Sequence, residues 1–421
     1  MNRKEFLQKI KANRHFLVAL GITLLVATLY YFSWAIPQTF ADSTHIGFNL
    51  EKMDNNMWWS SDARDYRDTG DFFFGRSDAP VLNRRPWLYP LVVGTLRTVT
   101  PFNPDLSLWA LQFLFWLLAI ALIFAALFRA TGKIWLAILA TALFWTHPSP
   151  IVQTFHGMTE TLNILLLSVL AYFLFAYSAE KENRNYWIIF ILSILLVTKP
   201  TYQLQLALFL LYFLATSLKK WRSWRFWGKI ALALIPLWIQ FLLTWQVLGY
   251  ATISDVGGHT LKYWTLTRVY SRAEGIDDLH EIATIVEDWT TEQEVAYLLN
   301  HKQMTLTTYV TNIVQEGLIA DSYFIVRDDN PMDIAIQTLN KGYFFLHLLM
   351  LPLMLYLLAF KRKGKWEAVW ILYLSFLVQV AASGVSADQG DRLIITALPL
   401  WIISYAFVWA QLKDESLLAA R

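Results

Sequence analysis

Long apolar blocks separated by short basic connections constrain this chain more than anything else in it. A helix needs about 20 apolar residues to cross the hydrocarbon core of a bilayer, and one block after another meets or approaches that length. They fall near 16–36, 106–128, 134–146, 158–177, 187–197, 202–218, 226–248, 342–360, 366–382 and 393–412. Hydrophobic residues make up 56% of the chain and charged residues only 16%, where a soluble domain carries about 25% charged residues. The expected fold is an all-α polytopic membrane protein of about ten transmembrane helices. With no cysteine in the sequence, thiol catalysis, disulfides and Cys-based zinc sites are excluded.

Charge sets the expected orientation. The connections 129–133, 180–186, 219–225 and 361–365 and the C-terminal tail are short and basic, which places them in the cytoplasm. Both termini are then cytoplasmic, in a plasma (inner) membrane protein. The polar segments 37–105, 146–157, 199–201, 249–341 and 383–392 face outward. Residues 1–248 form an N-terminal transmembrane catalytic module with the first outer loop 37–105, residues 249–341 a mainly helical extracytoplasmic segment, and residues 342–421 the C-terminal helices. Thr39-Phe40-Ala41 faintly resembles a signal-peptidase site, but the apolar run before it is long, and an uncleaved anchor is expected. Within the first loop, 87–99 is apolar, too short to span and interrupted by Arg97, and is expected to lie at the outer interface. Within the large segment, Val295, Leu298, Leu299 and Met304 recur at helical spacing in an expected helix over 291–316.

The candidate chemistry lies at the outer boundary. Asp62 and Tyr66 stand at i and i+4, on one face of a helix. Asp62, Asp65, Asp68 and Asp71 recur every third residue among Arg64 and Arg67. Hard cations take carboxylate oxygens, but a period of three drifts around a helix, so a solvated stripe is favoured and no metal or other cofactor is assigned. Glu160 enters the end of a span, where an ionisable group is costly and points to function or favours the helix N-terminus. His156 lacks metal-ligand spacing and reads as an ordinary loop histidine. Lys199 sits in a short outer turn, where a lysine holds a lipid phosphate as a point charge or snorkels to headgroups. Arg392 binds phosphate in a bidentate way or pairs with Asp388 or Asp391.

Taken in order, these pieces resemble the GT-C superfamily of integral membrane glycosyltransferases, in the branch that looks like bacterial protein mannosyltransferases and lipid A aminoarabinose transferases. The resemblance rests on Asp62-x-x-x-Tyr66, Arg85-Pro86-x-x-Tyr89-Pro90, Thr159-Glu160, Thr198-Lys199-Pro200-Thr201, the stretch 249–261 and Asp391-Arg392. It implies an inverting transfer of a sugar from a polyprenyl phosphate to an acceptor hydroxyl on a glycan, lipid or protein, outside the membrane. Asp62 is the implied base with Asp65 its rival. Lys199, Arg392 and Arg85 are the implied phosphate cations, and Tyr66, Tyr89, His156, Glu160 and Asp391 the substrate contacts. Membrane lipids are the other implied partner, with no nucleic acid. Lys199 stands where the family has arginine, which removes the bidentate fork but not the charge. The alternatives are an oligosaccharide ligase using a polyprenyl diphosphate, a transporter or flippase of lipid-linked sugars, and a non-catalytic scaffold. The absence of a detectable repeat disfavours the transporter.

Overall fold

The structure, a computed structural model, describes residues 3–35, 57, 59–78, 80–100, 103–176, 181–314, 331–360, 365–386 and 391–419. Thr39 to Ala41, Lys363, Asp388 and Gly390 lie outside the described residues. Every regular element among them is helical, so the all-α expectation holds. Helix α1 (Arg3–Tyr30) passes into a π-helical turn at Tyr31–Ala35. Then come α2 (Ser61–Phe73), α3 (Leu88–Val99), α4 (Pro104–Thr131), α5 (Ile134–Trp145), α6 (Pro148–Val152), α7 (Glu160–Ala176), α8 (Lys181–Leu196) and α9 (Gln203–Thr216). The chain continues through α10 (Trp224–Ala233), α11 (Ile235–Leu248), α12 (Val256–Thr260), α13 (Thr267–Glu274), α14 (Leu279–Val286), α15 (Thr291–Asn300) and α16 (Lys302–Ile313). It closes with α17 (Pro331–Phe360), α18 (Lys365–Ser383), α19 (Arg392–Ile395) and α20 (Leu398–Ala419).

Among the described residues, three stretches are long and apolar enough to cross a membrane: Arg14–Trp34, Pro104–Thr131 and Lys365–Ser383. Two bent pairs, α5 with Pro148–Phe155 and α10 with α11, raise the count to five if each is one span. The chain is a membrane protein. The expected block at 226–248 is broken by a bend of 64°, because Pro236 at the start of α11 supplies no amide and crowds the preceding turn. Other expected blocks fold as shorter apolar helices, among them Glu160–Phe175, Asn183–Leu196 and Leu398–Leu412.

Two expectations change. The segment 146–157, read as an outward polar loop, is instead folded into the protein: every residue from 147 to 164 is buried. Pro148 and Pro150 end α5 and start the short α6, and a 3₁₀ turn at Gln153–Phe155 leads on to α7. The expected helix over 291–316 is interrupted at His301, whose φ/ψ of −105°/39° is not helical. Of its marker residues Leu298 is buried, while Val295, Leu299 and Met304 are exposed.

The main core forms where α4 packs along α7, with α5, α8, α18 and α20 around them. Ala119, Ile120, Ile123 and Phe124 of α4 and Ile164, Leu167 and Leu170 of α7 are fully buried. A buried ion pair ties the bundle at one level. Arg184 on α8 lies 3.1 Å from Glu367 on α18, and Tyr212 on α9 donates to the same carboxylate oxygen at 2.9 Å. A second, smaller cluster of Leu266, Val269, Ile282, Val286 and Leu298 holds the helices of the 249–341 segment together. Tyr309 fastens that segment to the bundle by donating to Ala381 O at 2.6 Å.

Candidate active site

Helix α2 forms because Ser60 caps it, accepting from Ala63 N, and because Ala63, Tyr66, Thr69 and Gly70 give it a buried face. That face packs on α3 through two glycines. A Cβ on Gly94 would lie 2.4 Å from Gly70 O, and one on Gly70 would lie 2.6 Å from Pro90 O. Both positions must be glycine for the backbones to approach so closely. The half-buried side of α2 carries the aspartates, which are ion-paired and do not form the solvated stripe expected: each meets a cation. Arg76 lies 2.7 Å and Arg97 3.1 Å from Asp71, and Arg67 lies 3.1 Å from Asp68. Asp62 and Asp65, half-buried, meet the cations at the centre of the site.

Arg85, from the turn before α3, places one guanidinium nitrogen 2.6 Å from Asp62 and 3.1 Å from Asp65. Arg392, the first residue of α19, reaches the other oxygen of Asp62 at 3.1 Å. Asp62 is therefore held between two arginines from opposite ends of the chain. Both guanidiniums are largely buried, with side chains 11% and 7% exposed. Arg85 also lies over the Tyr66 ring at 5.3 Å, and Tyr66 meets Tyr89 edge-on at 5.2 Å. The nearby turn brings Lys199 to within 3.0 Å of Glu160, whose side chain is 1% exposed. Glu160 is thus shielded from solvent inside the protein, and Lys199 points to it. His156 is 1% exposed and shares a 2.9 Å hydrogen bond with Ser60. It is a buried part of this assembly and not a loop histidine. Asp391 is buried too, accepting from Ser149 and from Asn340 at 3.0 Å.

The two aspartates differ electrostatically. Burial pushes the Asp62 carboxyl upward, but the charges of Arg85, Arg392 and Lys199 outweigh it and hold it below the usual carboxylate range. Burial raises Asp65, Arg85 offsets this in part, and the neighbouring Asp62 charge adds to the rise. Paired carboxylates pushed apart in this way take different proton-transfer roles. Buried oxygens also gather here. Glu160 Oε2, Tyr89 Oη and Thr201 Oγ1 have no hydrogen-bond partner among the described residues. Such groups are costly unless something polar meets them.

No family model matches the chain, and no curated protein does. Among solved structures, it is similar to the crystal structure of ArnT from Cupriavidus metallidurans bound to undecaprenyl phosphate. Identity is 12%, the match covers 90% of this chain, and the TM-score is 0.45. This chain spans 59% of the length of that one. A match at this level transfers no residue role.

Several residues that the sequence reading passed over belong to this region. Ser60 caps α2 and bonds His156. Burial lowers the pKa of His259 on α12, as do the charges of Arg84 and Arg85, with Asp62 opposing them; it therefore lies within the field of the site. Asn83 and Asp255 join its loop to the Arg84–Arg85 stretch, through a backbone bond of 2.7 Å and a side-chain bond of 3.3 Å. Asn340 had no signal at all, being one polar residue at the edge of an apolar block.

Proposed function

We propose that the protein transfers a sugar from a polyprenyl-phosphate donor to an acceptor hydroxyl at the extracytoplasmic membrane surface, with inversion at the anomeric carbon. The observation that carries this reading is the clasp of Asp62 between Arg85 and Arg392, beside the Lys199–Glu160 pair. It gathers three carboxylates, Asp62, Asp65 and Glu160, and three cations, Arg85, Lys199 and Arg392, from five separate parts of the chain. In the reaction the acceptor O–H adds to the anomeric carbon, and its proton passes to Asp62. The bond from that carbon to the phosphate oxygen breaks, and polyprenyl phosphate leaves with the electron pair. Arg392, Arg85 and Lys199 stabilise charge as it develops on the leaving phosphate, often the largest single term in such sites.

Donor binding changes the balance at Asp62. A phosphate between the arginines competes with Asp62 for them, so the carboxylate becomes more basic as the phosphate settles. That brings its proton affinity closer to what a general base needs. The partnerless oxygens of Glu160, Tyr89 and Thr201 suit sugar hydroxyls. A cavity of about 300 Å³ between α7, α8, α9 and α18 is lined by Leu170, Leu192, Leu208 and Phe209. It lies on the helix that follows Lys199 and suits an isoprenoid chain.

The test is Asp62→Asn beside Asp65→Asn in the purified full-length protein. Asp62→Asn should lower turnover by about 10²–10⁴, the usual contribution of a positioned base. It should bind polyprenyl phosphate at least as tightly as the native protein, because a competing anion has been removed. Normal turnover in Asp62→Asn with an inactive Asp65→Asn would move the base to Asp65. Normal turnover in both would end the proposal.

A further inference from the structure

Behind Arg392 lies a polar chain that the proposed reaction does not use. The backbone N–H of Ser149 donates to His147 Nδ1 at 3.2 Å, which leaves the ring proton on Nε2. That nitrogen then donates to Asn340 Oδ1 at 3.1 Å. With its oxygen so engaged, the Asn340 amide must turn its NH₂ to Asp391, donating to Oδ2 at 3.0 Å. The Ser149 hydroxyl donates to the same carboxylate oxygen. His147, Ser149, Asn340 and Asp391 are all buried, and the donors run in one direction from α6 through α17 to the start of α19.

The end of this chain lies one residue from the clasp. Asp391 caps α19, and its carbonyl accepts from Ile394 and Ile395 at 3.0 and 2.9 Å. Arg392 is the first residue of that short helix. Fixing the Asp391 side chain and carbonyl together sets the position of α19, and so the direction of the Arg392 guanidinium. Helix α17 otherwise turns large apolar side chains outward, Phe345 and Leu349 among them, so an asparagine in it is costly unless it is paired.

We infer that Asn340, together with Ser149, is a positioning residue that aims Arg392 at the donor phosphate by holding Asp391. The inference rests on the phosphate role proposed above for Arg392.

The experiment measures the Kd of undecaprenyl phosphate for the full-length protein in nanodiscs. The variants are Arg392→Ala, Asn340→Ala, Asn340→Asp and the double Asn340→Ala/Arg392→Ala. Arg392→Ala should weaken binding on the order of tenfold or more, the loss of a charge-assisted contact. Asn340→Ala should weaken it by several fold, and the double variant should be no weaker than Arg392→Ala alone, since residues acting through one contact are non-additive. Asn340→Asp keeps the size and the acceptor for His147 but loses the donor facing Asp391, so it should behave like Asn340→Ala. Ser149→Ala, which removes the other donor to Asp391, repeats the test if Asn340→Ala does not fold. Additive losses in the double variant, or native affinity in Asn340→Asp, would overturn the positioning role and leave the phosphate role standing. Native affinity in Arg392→Ala would overturn both.

Discussion

The contact between Gly70 and Gly94 allows a prediction that starts from packing geometry alone. In Gly94→Ala the new methyl would lie 2.4 Å from Gly70 O, 2.8 Å from Gly70 C and 2.9 Å from the Phe74 ring. Ordinary contact begins at 3.4 Å, so α2 and α3 must separate by about 1 Å. Two of the three opposing atoms are backbone and cannot rotate away. Forcing extra volume into a packed contact costs about 1–3 kcal/mol. A functional cost of similar size follows, because Asp62 and Asp65 ride on α2 while Arg85 and Tyr89 are fixed just before and at the start of α3. A displacement of 1 Å in a catalytic constellation lowers rate by about 10², and the 2.6 Å contact of Arg85 with Asp62 is the first to open. The control is Gly228→Ala, where nothing lies within 4 Å and alanine is favoured in a helix by about 0.5–1 kcal/mol. Thermal unfolding of the detergent-solubilised protein, followed by tryptophan fluorescence, and sugar transfer from a polyprenyl-phosphate donor give the two readouts. If Gly94→Ala matched Gly228→Ala in both, the reasoning from the helix contact would be wrong.

Three other predictions bear on the site. Lys199→Ala should raise the donor KM about tenfold, the scale of one charge-assisted contact, and Arg129→Ala, whose side chain lies over Tyr172, should leave it unchanged; equal KM values would reduce Lys199 to the counter-ion of Glu160. The pH profile of kcat/KM, which reports the free enzyme, should keep its activity down to an acid limb below 3.8, because the pKa of Asp62 is lowered from that value and its proton returns only as pH falls through the lowered value. The ion pairs of Asp62 contribute stability over the same range and lose it as that proton returns. An acid limb above 3.8 would point to Asp65, whose shift is upward. Finally, Asp78→Cys should react with an impermeant thiol reagent in intact cells and Arg222→Cys should not; the reverse pattern would invert the proposed orientation.

The helical class was legible because apolar blocks of this length leave the chain few alternatives, and hydropathy alone announces them. The breaks were less legible. Pro236 sits inside what reads as one continuous block, and the cost of a proline in a membrane helix depends on neighbours that a sequence does not place. Lys199 and Arg392 were found because charges at apolar boundaries stand out, and Asp62 and Arg85 because their spacing to Tyr66 and Tyr89 matches the family pattern. One pairing was not: Arg392 was read as a phosphate ligand or as a partner of Asp388 or Asp391, and the structure also brings it to 3.1 Å from Asp62. His156 and Glu160 looked like boundary residues because polar sequence surrounds them. They are buried because Gln112 bonds the backbone of His156 at 2.7 Å and Lys199 neutralises Glu160. Asn340 had no local signal, since its meaning lies in groups far from it in sequence.

The buried turn from His147 to Glu160 bears on how the protein is made. Its backbone is broken into short helical pieces and it buries many polar side chains, which is tolerated at membrane depth only when other protein surrounds it. The groups that complete it come much later: Lys199 for Glu160, then Asn340 for His147, then Asp391 for Ser149. During synthesis, this turn therefore waits with unmet polar groups until Lys199, Asn340 and Asp391 have been made. A chain interrupted before Asp391 would be structurally unfinished at its centre, as well as lacking Arg392. The ribosome delivers Asp62 early, but its partner Arg392 follows only 330 residues later.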